Sequence, residues 1–139
     1  MATHGTVLSV SLEEARRVIA GAEQKAKQIN QPSNIAVVDA GANLVAFERM
    51  DGAWLGSIDI AQNKAFTARA FDLPTAQLGA DSQPGGPFYG IQASNQGRVV
   101  ILAGGIPLTR DGEVVGAVGV SGGDADQDTS VAEAAAAGL

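Results

Sequence analysis

Residues 104–123 read GGIPLTRDGEVVGAVGVSGG, and this stretch decides the fold of the chain. Two β-type runs flank Asp111 and Gly112, a pair that supplies the two positive φ angles of a type I′ turn. The second run has glycines at positions 116 and 119, where a Cβ atom would obstruct a close backbone approach. The sequence therefore predicts an antiparallel hairpin whose second strand leaves room for a close neighbour.

The hairpin leads into Ser121, Gly122 and Gly123, and then into an alanine-rich segment that predicts a helix over residues 128–137. A glycine-rich turn before a helix points several backbone N–H groups at one place, where an anion or a polar ligand can bind. The same residues match the G-x-S-x-G pattern of a serine nucleophile, which needs a base. Because the only histidine is His4, near the start of the chain, the pattern does not indicate a hydrolase.

Residues 124–128 read DADQD and resemble the start of a calcium loop. Such a loop has Gly at its sixth position and Glu at its twelfth, where this chain has Thr129 and Ala135. Acidic residues at this place are better explained as caps of a helix N-terminus, where they complement the helix dipole. We therefore expect no metal site.

Helical patterns precede the hairpin in two places. Ser11 and Glu14 form a capping box ahead of apolar residues at helical spacing, so a first helix is expected to run toward Pro32. A second helix is expected over residues 57–71. Residues 74–97 are rich in Gln, Gly, Pro and Ser and predict an irregular loop, which is typical of functional or subunit-contact segments.

Strand-like runs at residues 35–38 and 44–47 predict a further hairpin, with Gly41 or Asn43 as its left-handed residue. A third strand is expected at residues 99–102, just before the hairpin first described. The order is then α-β-β-α-β-β-β-α, which predicts an α+β sandwich around one sheet.

Composition limits the class of protein. The chain has 139 residues, 45% of them hydrophobic, which fits one domain spanning residues 1–139. A net charge of −6 argues against nucleic acid or an anionic membrane as a partner, and the absence of cysteine excludes thiolate chemistry. The first ten residues lack the pattern of a signal peptide, and no apolar run approaches the ~20 residues of a membrane span. We therefore expect a cytoplasmic protein.

Lys64 lies beside the apolar stripe of the predicted second helix, next to Asn63. A partly buried ammonium there either binds a ligand or acts as a low-pKa amine. The alternative is a structural ion pair with Asp51, Asp59 or a neighbouring subunit. Replacement of Lys64 by Met separates the two hypotheses. The first predicts lost ligand binding at a nearly unchanged thermal midpoint, and the second predicts lost stability with intact binding.

Phe88 and Tyr89 follow the Pro- and Gly-rich loop. The chain has only one Trp, one Tyr and four Phe, so we expect this pair to line a pocket rather than to plug the end of the core. For a polar ligand, we expect Lys64, Arg49 and Tyr89 to converge on one pocket with the loop at residues 121–123. A desolvated cation near N–H donors would bind a carboxylate tightly there.

Several blocks of residues follow the order of a known family and together span nearly the whole chain. They are residues 37–41 with 49–53, residues 63–68, residues 89–92 with 104–108, and residues 116–123 with 126–128. On these blocks the chain resembles the GlcG/HbpS family, also called haem-degrading domains, which includes a PduO C-terminal-like domain fused to corrinoid adenosyltransferases.

The resemblance implies a profilin-like α/β/α sandwich with a central five-stranded antiparallel sheet, and a homo-oligomer larger than a dimer. It also implies a small-molecule ligand, with haem or another tetrapyrrole as one class. This chain departs from the haem sensors of the family, because residues 59–62 read DIAQ in place of an acidic E-x-x-E pair. It also lacks an interior histidine for an axial bond to haem iron.

Three functions remain open: a small-molecule-binding protein, a cofactor-independent isomerase or lyase for a small oxo- or hydroxy-acid, and a structural assembly subunit. In the enzyme, Arg49 or Lys64 holds the substrate carboxylate. Asp51 or Tyr89 moves the proton, and N–H groups of the glycine loop stabilise an oxyanion. No cofactor is assigned. The candidate catalytic residues are Lys64, Asp51 and Tyr89, and the candidate ligand-binding residues are Arg49, Asn63, Phe88, Ser121, Gly122 and Gly123.

Overall fold

The computed structural model describes residues 8–139. Its elements, apart from two 3₁₀ turns, are α1 (Leu12–Gln28), β1 (Asn34–Asp39), β2 (Leu44–Arg49), α2 (Ser57–Phe71), α3 (Thr75–Asp81), β3 (Gly105–Arg110), β4 (Glu113–Ser121) and α4 (Ala125–Ala136). The strands form one antiparallel sheet in the order β2-β1-β4-β3. The α+β class is confirmed, and the expected count of five strands is wrong, because residues 8–139 form four.

The sheet lies between two helical layers, and β1 shows this division clearly. Ile35 and Val37 belong to the larger core cluster, which also contains buried residues of α1 and α4. Ala36 and Val38 belong to a second cluster with α2. The buried apolar side chains of α2 are all alanines, so the backbone of this helix can lie close to the sheet.

The helices α1 and α4 both begin at capping boxes. Ser11 Oγ accepts the N–H of Glu14, and the Glu14 carboxylate accepts the N–H of Ser11. Asp124 and Gln127 exchange the same two bonds at the start of α4. The acidic segment at residues 124–128 is therefore a helix N-terminus, and α4 begins at Ala125 rather than at the expected residue 128.

The two hairpin turns differ in how well the sequence predicted them. Asp111 and Gly112 have φ angles of 53° and 79°, which confirms the left-handed pair. In the β1–β2 turn the left-handed residue is Ala42, with φ of 64°, so the expectation of Gly41 or Asn43 is wrong. Asp39 Oδ1 accepts the N–H groups of Gly41 and Asn43, and these bonds hold Ala42 between them.

Residues 99–102 do not form the expected third strand. The N–H of Val100 donates to Thr67 Oγ1 of α2, and the segment passes close to Gly79 of α3. The helix α3 and the 3₁₀ turns occupy the stretch at residues 74–97 that was expected to be irregular. The segment is therefore held by helical neighbours rather than by a strand.

Gly119 of β4 marks a close approach between the sheet and α2, as the sequence predicted. A Cβ atom at this position would overlap the carbonyl oxygen of Ala61 and would lie 2.5 Å from the backbone nitrogen of Ala65. Both are backbone atoms of a packed helix, so they cannot move aside without displacing α2. A side chain at position 119 would therefore separate two layers of the fold.

We predict that Gly119→Val lowers the free energy of unfolding by about 1–3 kcal/mol or more, because the added side chain overpacks the interface. Chemical denaturation of both proteins measures the difference. Gly56→Ala is the matched control, since a Cβ at position 56 meets no atom within 4 Å. Equal midpoints for Gly119→Val and the parent would contradict the assigned role of Gly119.

Candidate functional site

A buried ion pair joins α2 to α4. The side chain of Lys64 is 2% exposed and that of Asp128 is 5% exposed. Lys64 Nζ donates to Asp128 Oδ2 at 2.9 Å and to the carbonyl oxygen of Val120 at 2.9 Å. The structural alternative had expected Asp51 or Asp59 as the partner of Lys64. The partner is instead Asp128, which lies 64 positions further along the chain.

The glycine loop after β4 binds the other oxygen of this carboxylate. The N–H of Gly123 donates to Asp128 Oδ1 at 2.9 Å. The anion that the sequence predicted for this loop is thus a side chain of the protein itself. The N–H of Gly123 is occupied and does not point at an open oxyanion site.

Burial is the main influence on the ionisation of both partners. It lowers the pKa of Lys64 and raises the pKa of Asp128, while the attraction between the two charges opposes both shifts. The two pKa values are therefore moved toward each other. The pair has no net charge whether the shared proton lies on the amine or on the carboxyl group.

Gly104 closes one side of the pair. Its φ of 126° is one that residues with a side chain rarely adopt. A Cβ atom there would lie 2.9 Å from Lys64 Nζ and 3.1 Å from Asp128 Cβ. Position 104 therefore requires glycine for two reasons: its φ angle disfavours a side chain, and the ion pair occupies the space that a Cβ atom would need.

The ion pair lines a cavity of about 230 Å³, which we call the Lys64 pocket. Trp54 and Leu102 form its rim and are 68% and 57% exposed. Ser57 and Ser121 are 3% and 4% exposed, so both residues are nearly buried within the lining. The full lining is Trp54, Ser57, Ile60, Lys64, Leu102, Ala103, Ser121, Gly123, Ala125 and Asp128.

The structure brings together only part of the predicted site. Lys64, Ser121 and Gly123 line the Lys64 pocket. Gly122 lines an adjacent open cavity of about 370 Å³, which it shares with Gly123 and Trp54. Asn63 donates to Asp59 at 3.0 Å on the outer part of α2.

Arg49 and Asp51 line a separate cavity of about 450 Å³ beside Glu23 and Glu48. Burial and a hydrogen bond with Glu23 raise the pKa of Glu48 to about 7. Two neighbouring glutamates make this cavity a poor site for the carboxylate that Arg49 was expected to hold. Within one chain, Arg49 does not converge with Lys64.

Phe88 and Tyr89 lie in the loop after α3 and are 45% and 66% exposed. Neither belongs to the lining of the Lys64 pocket. The expected convergence of Tyr89 with Lys64 is therefore not found within one chain. Both rings are free to contact another molecule or another copy of the chain.

Sequence reasoning missed Asp128, Trp54 and Ser57. Asp128 was attributed to a helix N-terminus, and its chain distance from Lys64 concealed the pairing. Trp54 carried one usable signal, because it is the only tryptophan and lies in the turn-like segment after β2, where a core role is not expected. Nothing in the sequence singled out Ser57.

Residues 8–139 show neither a metal-binding cluster nor a membrane-spanning helix. These residues contain no group of three or more His, Cys, Asp or Glu side chains arranged to hold a metal ion. None of their helices is long and apolar enough to cross a membrane. His4 lies outside the described residues.

A family model described as haem degrading protein HbpS-like matches residues 10–137. The chain belongs to the HbpS-like family. This match confirms the resemblance inferred from the sequence blocks and covers all the helices and strands of the structure.

Similar proteins include an uncharacterized 15.0 kDa protein in the dhaT-dhaS intergenic region of Citrobacter freundii, 43% identical over 93% of this chain and 91% of that protein. Corrinoid adenosyltransferase PduO of the same organism is 36% identical over 99% of this chain, which spans only 41% of PduO. A crystal structure of a PduOC:heme complex has a TM-score of 0.90 and 35% identity, covering 94% of this chain and 95% of that one.

Proposed function

We propose that this HbpS-like protein binds a small molecule at the Lys64 pocket and its rim, and that haem or another tetrapyrrole is the ligand class. The observation that carries the proposal is the exposed apolar rim formed by Trp54 and Leu102 above a largely buried polar floor. Ligand sites commonly combine apolar walls with a few placed polar groups. The similarity to the PduOC:heme complex supports the choice of tetrapyrrole.

The size of the pocket determines how such a ligand would bind. A volume of about 230 Å³ is below the roughly 300–1,000 Å³ of sites that enclose a drug-sized ligand. A macrocycle would therefore lie flat against Trp54 and Leu102, with its carboxylates in solvent. Residues 8–139 contain no histidine, so the proposal rests on contact with the macrocycle rather than on an axial histidine.

We also propose a homo-oligomer larger than a dimer, in the cytoplasm. Its support is the set of exposed large apolar side chains near the pocket rim and in the loop after α3. A second copy would cover them and would enclose a ligand lying on the rim. The absence of cysteine fits a reducing compartment. The exposed apolar side chains that support the oligomer are Trp54, Leu55, Phe88, Tyr89 and Leu102.

A cofactor-independent isomerase or lyase for a small oxo- or hydroxy-acid is the second candidate. One observation favours it: the pKa values of Lys64 and Asp128 are shifted toward each other, so moving a proton between them costs little. In this candidate Lys64 and Asp128, rather than Asp51 and Tyr89, would exchange the proton with the ligand.

We predict that haem and metal-free protoporphyrin IX both quench the fluorescence of Trp54, which is the only tryptophan. Haem should also gain a shifted Soret band, and Trp54→Ala should weaken binding at least tenfold by the Soret signal, since the indole supplies much of the apolar contact. Leu44→Ala is the control, because Leu44 is 51% exposed on β2 and does not line the pocket. Unchanged fluorescence and an unchanged Soret band would contradict tetrapyrrole binding.

We predict a solution mass of more than two chains of 14.0 kDa each, because the exposed apolar set would be covered by copies of the chain. Light scattering at micromolar concentration measures the mass. Tyr89→Ser should reduce the mass, whereas Leu44→Ser should not. A monomeric mass for the parent protein would refute the oligomer.

A further inference from the structure

We infer that the Lys64 pocket selects a neutral group, a carbonyl or a hydroxyl on a small apolar molecule, and rejects a free carboxylate. This inference rests on the proposed function, because it takes the Lys64 pocket as the ligand site. It names the class of neutral group that the floor of the pocket accepts. Haem and protoporphyrin IX carry oxygen only in their carboxylates, so they would lie on the rim without placing a group on that floor. It also reverses the expectation that Lys64 holds a carboxylate, and it opposes the isomerase or lyase candidate, whose oxo- or hydroxy-acid substrate would bring a carboxylate to this pocket.

The charges in the Lys64 pocket are already balanced. Asp128 already compensates the charge of Lys64, since the two groups are 2.9 Å apart and nearly fully buried. A ligand carboxylate would therefore add an uncompensated negative charge to a desolvated place, where unpaired ions cost several kcal/mol. This conclusion holds for either position of the shared proton, because the pair has no net charge in both.

The surroundings offer no second cation. Lys64 is the only basic residue in the pocket lining, and Asp128 is the only acidic one. Asp124 and Asp126 stand at the start of α4 beside the pocket, and Asp59 stands on the outer part of α2. These carboxylates oppose the entry of an anion. The N–H of Gly123, which would attract one, already binds Asp128.

The floor of the pocket carries neutral hydroxyl groups beside the lysine ammonium. Ser57 and Ser121 are nearly buried residues of the pocket lining, and each hydroxyl can donate one hydrogen bond and accept others. Lys64 has three N–H donors as an ammonium, and two of them are used by Val120 and Asp128. A carbonyl oxygen can accept bonds from such donors, and a ligand hydroxyl can both donate and accept, without adding charge.

The walls and the volume define the rest of the ligand. Ile60, Leu102, Ala103 and Ala125 supply apolar surface around the polar floor. A volume of about 230 Å³ corresponds to roughly eight water molecules at about 30 Å³ each, enough for one ring. Benzamide and benzoate are therefore suitable probes, because they share a ring and a planar head group but differ in charge.

The test is a titration of the parent protein with benzamide and with benzoate, followed through the single indole N–H signal of Trp54 in NMR spectra. We expect benzamide to bind at least tenfold more tightly than benzoate. Ser121→Ala and Ser57→Ala should each weaken benzamide severalfold. Equal or tighter binding of benzoate, or no binding of either probe, would overturn the inference.

Asp128→Asn tests the charge argument directly. Removal of the compensating carboxylate leaves the charge of Lys64 unbalanced, so the preference should reverse in favour of benzoate. Asp126→Asn is the matched control, because it removes the same charge from an exposed position outside the pocket lining and should keep the parent preference. A reversal in the control as well would overturn the inference. If Asp128→Asn does not fold, the benzamide and benzoate affinities of the parent protein test the inference.

The two proposals fail in distinguishable ways. Benzoate preference together with intact tetrapyrrole binding would overturn the neutral-ligand inference and leave the proposed function in place. Loss of both benzamide binding and tetrapyrrole binding would overturn both. Benzamide binding without any tetrapyrrole binding would support the neutral-ligand pocket and contradict the tetrapyrrole class.

Discussion

The structure depends on one buried ion pair between Lys64 and Asp128. Two charges taken out of water cost several kcal/mol each, and their attraction repays this only when the geometry is good and the remaining polar groups are bonded. Here the amine also binds the carbonyl of Val120, and the carboxylate also binds the N–H of Gly123. The pair therefore holds α2, β4 and α4 in one arrangement.

Small residues make this arrangement possible. The ion pair can form only if α2 lies close to the sheet, and the alanines of α2 and Gly119 of β4 allow that approach. Gly104 leaves space for the amine itself. The same compactness explains the pocket, because a helix so close to the sheet leaves only a small cavity above the pair. Close packing and the small size of the pocket thus have one cause.

Local patterns were predicted well, and pairings between distant segments were not. The capping box at Ser11, the turn at Asp111-Gly112 and the second helix follow from short-range rules, and the structure has them all. The expected strand at residues 99–102 is wrong, and there the side chain of Thr67 in α2 accepts the backbone N–H of Val100. A pattern of neighbouring residues does not show that a side chain from a distant segment will take a backbone hydrogen bond.

The candidate site also depends on a pairing between distant segments that the sequence did not predict. Lys64 stood out because a lysine beside an apolar stripe is unusual, but its partner Asp128 lay in a segment already explained as a helix start. That segment has two roles, since Asp124 caps the helix and Asp128 faces inward to Lys64. Arg49 and Tyr89 were chosen by chemical type, and the fold places them on other surfaces of the chain.

A double-mutant cycle on Lys64 and Asp128 tests the central claim most directly. Chemical denaturation of Lys64→Met, Asp128→Asn and the double variant gives the coupling free energy of the two side chains. We expect Lys64→Met to lose about 3–5 kcal/mol, because it leaves a buried carboxylate uncompensated, and the double variant to lose much less than the sum of the single changes. Additive losses, or a Lys64→Met variant as stable as the parent, would contradict the account.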